Sequence, residues 1–249
     1  MIELFNTILF QPLFNLLVFF YNLVPGNDLG VAIILLTVLI KVVLYPLSLQ
    51  SIRSQKALQE LQPKMDAIKK QYKDNKEAQA KALMDLYKQE KINPLSSCLP
   101  LLVQLPFLIA VFHVFSRGLS SESLDLLYPF IQNPGHLNPI SLGFFDLSKP
   151  NIILAVLTGL AQFFQSKMLV STKQPKVPGA KDEDMMAAMN KQMLYFMPLM
   201  TVVIGASLPA GLLVYWFVTT VLTVLQQQLI FGRKKIKPAE TTNNDENLK

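Results

Sequence analysis

Apolar residues arrive along this chain in long blocks divided by shorter polar ones. Asp, Glu, Lys and Arg are absent from 4–27, 92–116, 150–166 and 192–232, and from 29–52 apart from Lys41. About 20 mostly apolar residues in a helix cross the hydrocarbon core of a bilayer. Residues 29–50, 93–115 and 151–170 each supply that length. The 41-residue run 192–232 is too long for one helix, and Gly205-Ala206-Ser207-Leu208-Pro209-Ala210-Gly211 suits a tight turn within it. It divides into spans at 192–207 and 208–231, the first so short that it must begin in the interface or sit where the bilayer is thinned. The pattern therefore predicts an all-α, polytopic membrane protein with five transmembrane helices.

The first block behaves differently. Glu3, Thr7, Gln11 and Asn15 recur every four residues, and Asn22 extends that face. A polar stripe of this period marks an amphipathic helix lying in the interface, so residues 1–28 read as an interfacial helix and not as a sixth span. They also lack the basic region and small-residue cleavage site of a signal peptide. Between the first two spans, residues 51–92 carry Leu58, Leu61, Met65, Ile68 and Tyr72, then Ala80, Leu83 and Tyr87, at helical spacing on either side of Asp74-Asn75-Lys76. That is a helical hairpin with a thin apolar seam, in which Pro63 predicts a kink or restart. The loop 116–150 holds Pro129, Pro134, Pro139 and Pro150, which argue against long regular structure, and Tyr128, Phe130, Phe144 and Phe145, which suit the headgroup level. The connection 171–191 and the tail 232–249 are polar.

Charge orients these elements. Lys and Arg number 0 in 1–28, 10 in 51–92, 2 in 116–150, 5 in 167–191, 0 in 205–211 and 5 in 232–249. This alternation follows the positive-inside rule with the N-terminus outside and the hairpin and C-terminus in the cytoplasm. The net charge of +6 is thus mostly a topology signal. The charged fraction of 16% and the single Cys98 exclude an ordinary soluble enzyme, a disordered chain and a disulfide scaffold. Metal or catalytic motifs are missing. His113 and His136 have no ligand spacing, and Cys98 reads as a small packing residue.

Lys41 is the anomaly. It lies about 16 Å of helix rise from either end of 30–51, too deep to reach an interface easily. A cation at that depth costs about 2.5–3.5 kcal/mol, and no span supplies a carboxylate to pair with it. Thr37, Lys41, Tyr45 and Ser48 form one stripe, and Pro46 frees the Val42 carbonyl beside it. Other spans offer Ser97 and Gln104, then Thr158, Gln162 and Gln165, then Trp216, Thr219, Thr220, Thr223, Gln226 and Gln227. An unpaired cation among such residues points to a hydrated groove more than to simple packing. Such a groove would suit an anion site in a small transporter or channel, a site that only holds other membrane helices, or a path for polar segments.

Several runs resemble the YidC/Oxa family of membrane-protein insertases: Lys41 with Tyr45-Pro46-Leu47, Leu61-Gln62-Pro63-Lys64, Asn93-Pro94-Leu95-Ser96-Ser97-Cys98-Leu99-Pro100 through Gln104-Leu105-Pro106, Phe163-Phe164-Gln165-Ser166-Lys167-Met168, Met197-Pro198, Pro209-Ala210-Gly211-Leu212-Leu213-Val214-Tyr215-Trp216 and Gln226-Gln227-Gln228. The resemblance covers about residues 10–232. It implies a five-helix core whose groove opens to cytoplasm and lipid, with Lys41, Thr37, Gln104 and Trp216 at groove positions and a hairpin that receives substrates; Tyr215, beside Trp216, is a further candidate for the groove. It implies no enzyme chemistry and no cofactor. The expected partners are nascent membrane proteins and the lipid bilayer, with a Sec translocon and the ribosome as further candidates and a monomeric state. The expected location is a bacterial plasma membrane. Two departures stand out: the family's usual groove arginine is Lys41 here, and its usual Gly-containing pair before the cysteine is Ser96-Ser97.

Overall fold

The computed structural model describes residues 2–73, 75–93, 99–116, 121–169 and 192–232. A short helical turn Ile2–Phe5 and a π turn Asn6–Phe10 lead into α1 (Gln11–Leu23). Then come α2 (Leu29–Val43), α3 (Tyr45–Gln71), α4 (Lys76–Gln89) and α5 (Leu99–Ser116). A 3-10 turn at Ser121–Leu126 and two short antiparallel strands, β1 (Ile140–Ser141) and β2 (Phe145–Asp146), precede α6 (Ile152–Leu169). A second π turn, Gln192–Phe196, opens α7 (Met197–Gly205), and α8 (Ala210–Gly232) follows. Local chemistry sets the starts. Proline sits in the first turn of α1, α3 and α7, where its missing N–H costs nothing. Asp28, Asn75 and Asn151 cap α2, α4 and α6 by accepting from the N–H of Val31, Ala78 and Leu154 at 3.0 Å each.

By length and composition, two of these helices are sufficient to cross a membrane, Ile152–Leu169 and Ala210–Phe231, and α2 with α3 passes as a bent pair. Gln104–Phe115 and Gln192–Gly205 are apolar but shorter. The span expected over 29–50 is not one straight helix. It breaks at Leu44, where α2 and α3 meet at 68°. Pro46 is the cause: it has no N–H for the Val42 carbonyl and its ring crowds that position. Helix then runs unbroken from Tyr45 to Gln71, passing both the expected boundary at residue 51 and Pro63. Pro63 lies on the exposed side, where water can serve the carbonyl its ring leaves unpaired. The strands β1 and β2 are a small departure from a wholly helical chain, turned by Leu142 and Gly143 at φ 53° and 80°.

The core lies at the end of the bundle where α2 and α8 begin. It joins Phe14, Leu17 and Val18 of α1 to Leu29, Ile33 and Leu36 of α2, Val111 and Val114 of α5, and Leu212 of α8. The segment 121–151 lies across this end. Its Lys149 and Leu147 carbonyls accept from the N–H of Ala210 and Gly211 at 2.9 Å, fixing the start of α8. Asp28 fixes the start of α2, accepting from the Ser141 hydroxyl and the Leu142 N–H at 2.6 Å each. Burial pulls the Asp28 carboxyl upward, but these bonds and the Val31 N–H outweigh it and hold the group below its usual range. Gly211 is required by space, since a Cβ there would strike the Phe115 ring.

The polar stripe of residues 3–22 has an unexpected use. Gln11 and Asn15 each donate to the Leu126 carbonyl at 3.0 Å, Asn15 accepts from the Tyr128 N–H at 2.6 Å, and Asn22 donates to the Gln132 carbonyl at 2.7 Å. Asn15 is only 1% exposed. So Gln11, Asn15 and Asn22 of the stripe grip protein backbone. Both ends of α1 hold one segment, and Phe5 and Phe10 meet His113 near the end of α5. The helix therefore lies across one end of the bundle.

At the opposite end α4 folds back on α3. Leu61, Met65 and Leu86 are buried against Ile68, Leu83 and Tyr87, and Lys64 pairs with Glu90. Burial raises the Tyr87 phenol. The seam is three buried side chains wide, which makes it a poor independent core.

Candidate functional site: a polar cavity beside Lys41

Lys41 projects from the last turn of α2, three residues before the break at Leu44. Its Nζ donates to the Thr223 hydroxyl at 2.7 Å, and that hydroxyl donates in turn to the Thr219 carbonyl at 2.7 Å. The second bond spends the Thr223 proton on its own helix and leaves the oxygen's lone pairs facing the ammonium. A cavity of about 320 Å³ opens beside this pair. Lys41, Ser48, Ile52 and Gln55 line it from α2 and α3, and Gln104, Leu105 and Leu108 from α5. Gln162, Gln165 and Leu169 of α6 form a third wall, and Trp216, Thr219, Thr220, Thr223, Gln226 and Gln227 of α8 a fourth. From Tyr215 to Gln227 the α8 side covers about 18 Å of rise.

The lining contains no carboxylate. It offers hydroxyls, amides and one cation against an apolar remainder. Gln227 is 1% exposed, yet the Oε1 atoms of Gln226 and Gln227 accept from no described protein group. Buried acceptors left open beside a cavity are what ordered water serves, and one water needs about 10–15 Å³ of such room. At its far limit Gln104 donates to the Tyr215 hydroxyl at 2.6 Å, and a recess of about 30 Å³ joins both to Lys41. Beyond Tyr215, itself buried, the apolar core closes the bundle.

Twelve residues singled out from the sequence thus border these two spaces: Lys41, Ser48, Gln104, Gln162, Gln165, Tyr215, Trp216, Thr219, Thr220, Thr223, Gln226 and Gln227. Thr37 does not. It is fully buried and donates to the Ile33 carbonyl of its own helix at 2.7 Å. Tyr45 is half exposed and lies outside the lining, because the break turns it away from the stripe it would share with Lys41 on a straight helix. Ser97 lies outside the described residues. Two contributors were missed. Gln55 extends the series 41, 48, 52 at helical spacing across the break, a signal present in the sequence. Thr201 of α7 donates to Gln162 and so sets that amide, for which the sequence holds no cue. Among the described residues no group of three or more His, Cys, Asp or Glu could hold a metal ion.

Known proteins resemble the chain as a whole. The profile of the family described as 60Kd inner membrane protein matches residues 19–238. A Fusobacterium nucleatum protein named membrane protein insertase YidC is 33% identical over 207 residues, 83% of this chain and 88% of the relative. Proteins of the same name from Geobacter metallireducens and Psychromonas ingrahamii are 33% and 37% identical, covering 92% and 89% of this chain. The chain spans only 38% and 34% of the length of those two. A crystal structure described as an active YidC insertase with its first transmembrane domain resolved aligns with a TM-score of 0.62 at 25% identity, covering 93% of this chain and 47% of that one.

Proposed function

This chain belongs to the 60Kd inner membrane protein family, and on that premise we propose that it is a membrane-protein insertase that moves short polar segments of nascent membrane proteins across the bilayer. The observation that carries the reading is Lys41: a cation in the last turn of an apolar helix, held by a neutral hydroxyl, beside a polar cavity with no carboxylate. A folded protein that needed only packing would place an apolar residue there. A protein that must receive an acidic or polar segment has reason to keep the charge unpaired by protein.

The mechanism follows from solvation. A polar tail crossing an apolar slab loses its water at a cost of several kcal/mol per unpaired group. Threonine and glutamine side chains along α8, with water between them, replace part of that hydration. Lys41 draws carboxylates of the passing segment inward, more strongly than in bulk water because the local dielectric is lower. The apolar helix that follows then leaves sideways into lipid, which makes the step downhill without covalent chemistry. In this reading the N-terminus and 116–150 face outward, the hairpin 51–92 and C-terminus face the cytoplasm, five helices span, and the chain acts as a monomer. Nascent membrane proteins are the substrates, with a Sec translocon and the ribosome as candidate partners.

Reconstitution into liposomes with one labelled small membrane protein tests this. An insertase places the substrate's tail in the lumen without leaking ions. Ion flux would indicate a channel or transporter, and binding without lumenal protection of the tail would indicate a factor that only holds membrane helices.

A further inference from the structure

A second cavity, about 470 Å³, lies on the face of α3 opposite the Lys41 cavity. Leu49, Gln50, Arg53 and Ser54 line it from the first turns of α3, and Lys91 and Ile92 close it from the end of α4. Its level along the chain is informative. Arg53 is the first charged residue after Lys41, so it stands where the apolar run 29–52 ends. Ahead of the 68° bend, at the end of α2, Val42 and Val43 are 64% and 67% exposed. A membrane protein that turns such residues outward turns them to acyl chains.

Lys91 reaches this place through an unusual backbone. It occupies the left-handed region at φ 54°, its N–H donates to the Lys88 carbonyl, and the Ile92 N–H donates to the Tyr87 carbonyl. That is the helix-ending motif in which glycine is the usual occupant, because a side chain there costs about 1 kcal/mol. Glycine would serve the turn better, so the side chain has another use. Nor is that use an ion pair. Glu90 is taken by Lys64, and among the described residues neither Arg53 nor Lys91 pairs with a carboxylate. Two cations therefore line one recess, together with polar Gln50 and Ser54 and apolar Leu49 and Ile92, at the level where the apolar run ends.

We propose that this cavity binds the phosphate headgroup of an anionic glycerophospholipid. Arg53 and Lys91 meet the phosphate, Gln50 and Ser54 meet the glycerol oxygens, and the acyl chains leave over Leu49 and Val42. The lipid would tie α3 to the end of α4 through a ligand, where the protein's own seam is thin. Basic recesses at the cytoplasmic side of membrane helices suit such headgroups.

The test is native mass spectrometry of the full chain in detergent micelles holding equal phosphatidylglycerol and phosphatidylcholine. The protein should retain phosphatidylglycerol selectively. Selectivity should fall about thirtyfold in Arg53→Gln/Lys91→Gln and about fivefold in Lys91→Gly. It should persist in Arg53→Lys/Lys91→Arg, and in Lys70→Gln/Lys73→Gln, which removes equal charge elsewhere on the hairpin. Lys91→Gly also separates binding from folding. With no lipid added it should melt at or above the wild-type temperature, because the backbone strain is relieved. Full phosphatidylglycerol retention by Lys91→Gly or by the double glutamine variant would overturn the proposal. So would an equal loss in Lys70→Gln/Lys73→Gln, which would reduce the effect to net charge. Displacement of the lipid by millimolar inorganic phosphate would assign the recess to free phosphate instead, and would overturn it as well.

Discussion

Replacing Lys41 by leucine isolates the role of its charge. Leucine keeps the helix and most of the stem's packing, and removes the donor to Thr223 along with the cation. A substrate carboxylate that takes its place beside Thr223 would approach Nζ to about 4–6 Å. At an effective dielectric near 20 two unit charges at 5 Å attract by about 3 kcal/mol, and in bulk water by about 1 kcal/mol. A cavity walled by glutamines and threonines lies between these limits. Loss of 1–3 kcal/mol slows translocation of an acidic tail by about 5- to 150-fold. A neutral tail gains nothing from the charge and should be spared. Lys41→Arg retains the cation and should insert acidic tails at close to the wild-type rate. Lys41→Glu should be worst for acidic tails, through repulsion, and least harmful for basic ones. The assay is protease protection of matched substrates with acidic, neutral and basic tails in proteoliposomes, at equal amounts of each variant. Added salt should change the ranking little, because a partly buried charge is poorly screened. Equal insertion of acidic tails by the leucine variant and the wild type would refute the electrostatic role and leave hydration of the cavity as its whole contribution.

Other consequences follow from contacts outside the cavity. Asn15→Leu leaves the Tyr128 N–H without its acceptor and the Leu126 carbonyl with one donor fewer, so it should destabilise the protein by about 1–3 kcal/mol, read as a lower thermal midpoint in detergent. Asp28 has a depressed carboxyl, so its contribution is full above the ordinary value of 3.8 and is lost as pH falls through its folded value; the gap in thermal midpoint between wild type and Asp28→Asn should be open at neutral pH and close in acid, and a gap that widened in acid would refute the assignment. With Cys98 replaced by serine, Glu3→Cys should react with an impermeant thiol reagent added to intact cells from outside, and labelling only after lysis would reverse the proposed orientation. Trimming the hairpin tip at Asp74-Asn75-Lys76 should lower insertion while the spanning helices still assemble, because the seam at Leu61, Met65 and Leu86 lies away from the tip; loss of the folded protein would make the hairpin structural.

The cavity was legible in the sequence where its residues obey a helical period along one element. Trp216, Thr219, Thr223, Gln226 and Gln227 recur on α8, which is straight enough for period and face to agree. The same rule failed across the break. Tyr45 shares the stripe of Thr37 and Lys41 only on a straight helix and lies outside the lining past the 68° bend at Leu44, whereas Gln55 keeps the period of 41, 48 and 52 and lines it. Pro46 was visible and its lost hydrogen bond could be named, but the direction and size of a bend depend on what the two halves pack against. Here α2 packs on α1 and α8, and α3 on α4.

The stripe on α1 shows the same limit from the other side. Amphipathicity states that two faces have different partners, and in a soluble protein the polar face meets water. In a chain this apolar, the backbone of a long loop is itself a polar surface that must be satisfied. Leu126, Tyr128 and Gln132 lie beside three side-chain amides spaced along α1, which take up their N–H and carbonyl groups. The period located the helix, and its polar stripe set it apart from the spans, but neither could say that protein covers the polar face of α1. The physical consequence is that α1, the 121–151 segment and the start of α2 form one hydrogen-bonded plate. Asp28 ties that plate to α2 at Ser141 and Leu142, thirteen residues before Lys41. The plate fixes the start of the helix that carries the cation, while the other end of that helix is broken at Leu44.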